Sequence, residues 1–411
     1  MKLLCLSNGH GEDAIALRIL LELRKQTSSE LAALPLVGEG QAYVSHGIPL
    51  AGPVKGMPSG GFVYMDGRQL ARDLRGGLLP LTLAQLKIIR EWAQANAAIL
   101  AVGDIVPLLF AWWSGAPYAF VGTAKSEYYL RDEQGWLPRN SWFERLERWS
   151  GSVYLPWERW LMRHRRCQAV FPRDTLTTQI LKRWAVPAFD LGNPMMDGLE
   201  PDGINFRAAV AGVEDEPPLT FALLPGSRSP EVYENWQAIA HAATRLVSAF
   251  SDRSLLFLGA IAPHLDLDPL AQPLQSLGWR PRSTQFLTFT QKKATLILTQ
   301  SNFSDCLHQA DIAIAMAGTA TEQFVGLGKP AITFPGKGPQ FTPAFAEAQS
   351  RLLGPSINWV TQPEQVVYAV KSLLQDPDRL QLIHDNGTRR MGEPGAAKRI
   401  ASYVLDELLK R

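Results

Sequence analysis

The chain has 411 residues, 46% hydrophobic and 19% charged, which suits two or three packed domains and excludes a disordered polymer. A net charge of +2 gives no electrostatic case for a nucleic-acid partner. Three widely spaced cysteines (Cys5, Cys167, Cys306) form neither a disulfide framework nor a zinc pattern and fit a reducing compartment.

The first element is a strand, "KLLCLS" (2–7), followed by a glycine-bearing turn, "SNGHGED" (7–13), and a helical pattern over 13–26. The apolar part of this opening is too short for a signal-peptide core, and no run approaches the ~18 apolar residues of a membrane span. Strands follow at 97–103 and 118–122. The stretch 135–166 then carries five of the twelve tryptophans and seven arginines against three glutamates. Tryptophan and arginine among bulky apolar residues mark surfaces that sit in lipid head groups, so Trp142, Trp149, Trp157 and Trp160, with Trp112 and Trp113 just upstream, are candidate membrane contacts. The alternative is a helix that packs its tryptophans into a core and leaves its arginines solvated. The expected location is cytoplasmic, peripheral on the inner face of the cell membrane.

Residues 200–220, with a Pro pair and little periodicity, read as a connection between two α/β halves. The second half has strands at 219–224, 254–260, 295–300, 311–318 and 330–336. Continuous apolar strands alternating with helices predict parallel sheets covered on both faces.

Two strand-to-helix turns in this half carry chemistry. In "LLPGSRSPEVY" (223–233), Ser229 is a plausible N-cap and Pro230 suits the first helical position. Gly226, Ser227 and Arg228 then offer backbone donors and a permanently charged fork to an anion. The same pattern also suits a bare βα turn with a solvated arginine. In "AMAGTATEQF" (315–324), Gly318 permits close approach, Thr319 can cap, Thr319 and Ala320 offer N–H groups, and Glu322 suits the first turn as a cap or as an acceptor for sugar hydroxyls. Together the turns point to a diphosphate with a ribose attached. No Walker-type loop occurs, and no Gly-x-Gly-x-x-Gly follows the first strand, which disfavours a dinucleotide oxidoreductase.

The order "GNPMMDGL" (192–199), "LLPGSRSPEV" (223–232), "AGTATEQF" (317–324) resembles the lipid-A-disaccharide synthase-related family and, more broadly, GT-B glycosyltransferases using UDP-sugars. The resemblance implies an α/β chain with two Rossmann-like domains, their parallel sheets facing a cleft. It divides the chain into an acceptor domain (1–199), a UDP-sugar domain (200–395) and a final helix (396–411) returning to the first domain. It implies that Gly226, Ser227 and Arg228 hold the diphosphate, that Gly318, Thr319 and Ala320 supply backbone donors, and that Glu322 contacts ribose or sugar. UDP-sugar is then the donor substrate, a lipid the acceptor, and no metal or other cofactor takes part. The implied reaction is inverting transfer of an acylated glucosamine to a lipid.

Displacement at the anomeric carbon needs a base. His10, between Gly9 and Gly11, matches a glycine-rich turn with histidine in related GT-B enzymes. Asp104 matches the first aspartate of the Ile-Asp-x-Pro-Asp-Phe-Asn motif of lipid-A-disaccharide synthases, whose later Asp and Asn this chain lacks. Both remain candidates, with Lys125 and Glu127 behind them. A UDP-N-acetylglucosamine 2-epimerase and a non-catalytic nucleotide-sugar or lipid binder are the alternative functions. The oligomeric state is left open.

Overall fold

Nearly unbroken apolar side chains make Lys2–Ser7 the strand β1, which pairs in parallel with β2 (Glu30–Pro35) on one side and β3 (Ala97–Gly103) on the other. The computed structural model describes residues 2–56, 77–138, 142–209, 217–336, 338 and 341–409. Two units divide the chain: unit 1 is Met1–Asp197 with Glu393–Arg411, and unit 2 is Gly198–Gly392.

In unit 1, β4 (Tyr118–Gly122) lies next to β3; a small hairpin of β5 (Arg131–Asp132) and β6 (Gly135–Trp136) stands apart; and β7 (Cys167–Phe171) closes the sheet, giving the all-parallel order β2-β1-β3-β4-β7. Side chains alternate between the faces. Leu3, Cys5, Ala98, Leu100 and Val102 pack with residues of the helices His10–Gln26 and Ala396–Val404. Leu4, Leu6, Ile99 and Ala101 pack with Ile89, Leu108, Ala111 and Leu161 from the helices Leu78–Gln94, Ile105–Ser114 and Pro156–Met162. Each leucine buried this way contributes about 1.5–3 kcal/mol. Ala397, Ile400, Ala401, Val404 and Leu408 put the chain's last helical stretch in the same core as β1, at a spacing of three or four residues. The Asp197 carboxylate starts that helix by accepting from the N–H groups of Gly395, Ala396 (3.1 Å) and Ala397 (2.6 Å).

Unit 2 has eight strands: β8 (Leu219–Leu224), β9 (Leu255–Ala260), β10 (Arg280–Ser283), β11 (Leu287–Gln291), β12 (Ala294–Thr299), β13 (Ile312–Ala315), β14 (Ala331–Thr333) and β15 (Ile357–Trp359). Their order is β10-β11-β12-β9-β8-β13-β14-β15. A purely parallel sheet is not what forms, because β11 runs antiparallel to both of its neighbours, β10 and β12. Their connections are too short for a crossover helix, so the chain must double back. The stretch 200–220 is also more than a connection. Phe206 is fully buried against Leu256, Leu258, Ile297 and Cys306, and the N–H groups of Asp202, Gly203 and Ile204 donate to the Asp305 carboxylate. Among the described residues no helix is long and apolar enough to cross a membrane.

Candidate functional site

Strand order locates the ligand-binding edge of each unit. From β1 the chain first adds β2 on one side and then crosses to β3 on the other; from β8 it builds out through β9 to β12 and then crosses to β13. Such switch points leave a crevice beyond the strands' carboxyl ends, where open parallel sheets bind ligands. Both glycine-bearing turns of unit 2 lie at the β8/β13 switch, and both N-terminal candidate loops lie at β1/β3.

The two turns of unit 2 touch. Gly226 adopts φ +99°, and a Cβ built there would stand 3.4 Å from the Met316 carbonyl oxygen at the end of β13. The Met316 N–H in turn donates to the Leu224 carbonyl (2.8 Å). Buried side chains hold each turn from behind. Asn235 donates to the Pro225 carbonyl at 3.1 Å, and Gln349 donates to the carbonyls of Ala317 and Gly318 at 3.1 and 3.2 Å. His264, exposed in the loop after β9, places Nε2 2.8 Å from the Ser227 carbonyl. The carboxylate of Glu231 accepts the N–H of Phe341 at 2.7 Å, drawing the loop after β14 to the same edge. Asn235, Gln349, Glu231 and His264 did not stand out in the sequence. Only the placement of Asn235 and Gln349 at core-facing helical positions could have flagged the first two.

Details of the caps differ from the sequence expectation. The helix after β8 begins at Glu231 with Pro230 as its N-cap, and Ser229 lies outside it. Two leading N–H groups, of Val232 and Tyr233, are taken by the carbonyls of Arg228 and Pro230. The helix Thr319–Gly326 has Gly318, not Thr319, as its N-cap, and no side chain caps it. Thr319 is exposed, Ala320 and Glu322 half-buried, and the Thr321 hydroxyl donates to the Ala317 carbonyl at 2.6 Å.

At the β1/β3 edge, Asp104 is buried and both its oxygens are engaged. Oδ1 accepts the Val106 N–H at 2.8 Å, capping the helix Ile105–Ser114, and Oδ2 accepts from the Asn8 amide at 2.9 Å. Burial raises its pKa, with the charge of Glu158 adding to the effect and the N–H of Val106 opposing it. Beside it stands a carboxylate the sequence reading passed over. Glu12 is half-buried, accepts the Thr123 hydroxyl at 3.4 Å, and has its pKa pushed up to about 6, chiefly by burial and further by the charge of Asp104. It lies in the first turn of the helix His10–Gln26. That helix begins at His10, three residues before the expected 13, with Gly9 (φ +110°) as its N-cap; Gly11 therefore sits inside the first turn rather than in a loop. The His10 side chain lies outside the described residues.

Lys125 and Glu127 are both engaged in contacts within unit 1, and the charge of Lys125 also reaches Asp104. Lys125 pairs with buried Glu158 at 2.7 Å and donates to the Val153 carbonyl. Glu127, fully buried, accepts from Ser152 and Val153 and lies 2.9 Å from Arg131 Nε.

Comparison with protein-family models and with curated proteins gives no match. Among solved structures the chain is similar to a UDP-GlcNAc 2-epimerase from Neisseria meningitidis bound to UDP-GlcNAc, with 15% identity, TM-score 0.54 and 100% of both chains covered. It is similar to MurG of Acinetobacter baumannii, with 13% identity, TM-score 0.57, and 98% of this chain and 99% of that one covered. A third likeness is to the calicheamicin glycosyltransferase CalG4, with 13% identity, TM-score 0.60, and 100% and 99% covered. The chain has the GT-B fold.

This GT-B chain exposes much of its tryptophan-rich stretch. Trp149 is 80% exposed, Trp157 52% and Trp160 55%, and Trp113 is also exposed. Trp112 is instead partly buried, its ring edge-on to Trp160 at 5.3 Å. The Trp142 side chain lies outside the described residues.

Proposed function

We propose that the protein is an inverting hexosyltransferase that moves a sugar, an acylated glucosamine by resemblance to lipid-A-disaccharide synthases, from a UDP-sugar to a lipid acceptor at a membrane surface. The observation that carries the reading is the contact between the Gly226 turn and the end of β13 at the switch point of unit 2. Two glycine-bearing turns side by side, with Arg228 in one of them, suit a pyrophosphate. As the bond to the anomeric carbon breaks, charge develops on the β-phosphate oxygen, and preorganised donors there lower the barrier without reorganising. Gly226, Ser227 and Arg228 take that role, with Gly318, Thr319 and Ala320 as further donors and Glu322 accepting from ribose or sugar hydroxyls.

For the base we favour Glu12. Asp104 spends both oxygens on the Val106 N–H and the Asn8 amide, whereas Glu12, with a pKa of about 6, is ionised at neutral pH yet basic enough to take a proton from the acceptor hydroxyl. Asp104 then positions Asn8 and raises the basicity of Glu12. Four exposed tryptophans support the lipid acceptor.

Titration calorimetry with UDP tests the donor site. Arg228→Ala should weaken binding about ten- to a hundredfold, the value of a charge-assisted hydrogen bond. Absence of UDP binding by the wild type at millimolar concentration would remove the transferase reading. An epimerase is the second reading, favoured by the likeness to UDP-GlcNAc 2-epimerases. Conversion of UDP-GlcNAc with no acceptor present would decide for it.

A further inference from the structure

Pro156, Arg159, Trp160, Arg163 and His164 recur at helical spacing along the helix Pro156–Met162 and the residues just past it. With Trp184 from the end of the helix Thr175–Arg183 they line a cavity of about 440 Å³. Arg159 is only 5% exposed. Its guanidinium lies 3.8 Å over the Trp184 ring, and Nη2 donates to the Ser150 carbonyl at 2.9 Å. Its other terminal nitrogen, Nη1, is buried without a hydrogen-bond partner among the described residues. The carboxylates near enough to feel its charge are occupied elsewhere. Glu127 serves Ser152, Val153 and Arg131, and Glu158 serves Lys125 and the Leu155 N–H. No lining residue is acidic, so the charged side chains of the lining are all basic.

A phosphate oxygen is the acceptor that suits a guanidinium best, and among the lining residues Arg163 is exposed and so can donate to a ligand in the cavity. The aromatic content indicates where that phosphate comes from. Trp160 and Trp184 wall the cavity, Trp112 and His164 stand edge-on to Trp160, and exposed Trp157 adjoins Pro156 in sequence. Indoles presented to solvent this way favour the boundary between head groups and acyl chains.

We propose that this cavity is a head-group subsite for the phosphate of an anionic membrane lipid, with Arg163 as donor, Arg159 as a fixed positive charge, and Trp160 and Trp184 as walls. The proposal rests on the reading that the protein works at a lipid surface, and it adds the class of lipid that holds it there. Every lining residue belongs to unit 1, whereas the turns of the proposed donor site belong to unit 2.

Co-sedimentation of the full chain with vesicles of phosphatidylcholine, alone or mixed with phosphatidylglycerol, tests it. Binding should require phosphatidylglycerol and fall roughly fivefold for Arg163→Gln, the value of one basic residue at an anionic surface. Trp160→Ala should weaken it too, whereas Arg282→Gln, which removes an equal charge from the exposed strand β10, should not. Equal binding to pure phosphatidylcholine, or an equal loss in the Arg282 variant, would overturn the proposal. So would saturable quenching of tryptophan fluorescence by free glycerol 3-phosphate as tight as vesicle binding, since the cavity would then serve a soluble anion. UDP titration of Arg163→Gln should match wild type. Wild type that binds UDP but no vesicles refutes the subsite alone.

Discussion

Replacing Glu12 with Gln separates what this carboxylate costs the fold from what it does for the reaction. Burial and the neighbouring Asp104 raise its pKa from 4.5 in the unfolded chain to about 6 in the native one. Between those values the native state holds the proton more often than the unfolded state, so this group's contribution to stability falls as pH rises through the window. Above pH ~6 the cost is complete, about 2 kcal/mol for a shift of roughly one and a half pKa steps. An amide removes the charge and still accepts the Thr123 hydroxyl. Glu12→Gln should therefore melt roughly 4–8 °C above wild type at neutral pH, with the two curves converging below pH ~4.5. The same change should lower turnover about a hundred- to ten-thousandfold, as expected on loss of a general base. Thermal melts from pH 4 to 8 and a transferase assay read the two effects. A variant no more stable than wild type, or an offset that ignores pH, would refute the argument from burial. Full turnover would move the base elsewhere.

Gly226→Ala puts a methyl group at φ +99°, 3.4 Å from the Met316 carbonyl oxygen, and should weaken UDP binding in calorimetry while circular dichroism stays native. Asp197→Ala removes the acceptor for three N–H groups at the start of the last helix. It should cost about 1–2 kcal/mol and speed proteolytic loss of residues beyond 392.

The strands β1, β3, β4 and β8 were legible to the residue because each is a continuous apolar run ended by Ser, Gly or Pro. β2 was missed because "ELAALP" has helix-forming composition, and β7 because "CQAVF" follows an arginine-rich run that draws attention to charge. The edge strand β10, "RPRS", has no apolar face, and only its pairing with β11 makes it a strand. In the donor site the glycines and Arg228 stood out, since backbone chemistry demands those residues. Their supports, Asn235 and Gln349, did not, because a polar residue at a core-facing helical position does not announce which carbonyl it meets. Asp104 and Glu12 show the same limit. Both are acids beside a helix start, and only the partners of each oxygen separate a cap from a base.

The last helical stretch has a consequence for biosynthesis. Residues 198–392 form a unit of their own and are translated before Ile400, Val404 and Leu408 exist. Until then the nascent chain must keep the flank of β1 and of the helix His10–Gln26 uncovered, although it was translated first. The unit begun first is thus completed only after the rest of the chain has been made, and a nascent chain stalled short of residue 400 would present a greasy strip for chaperones to shield.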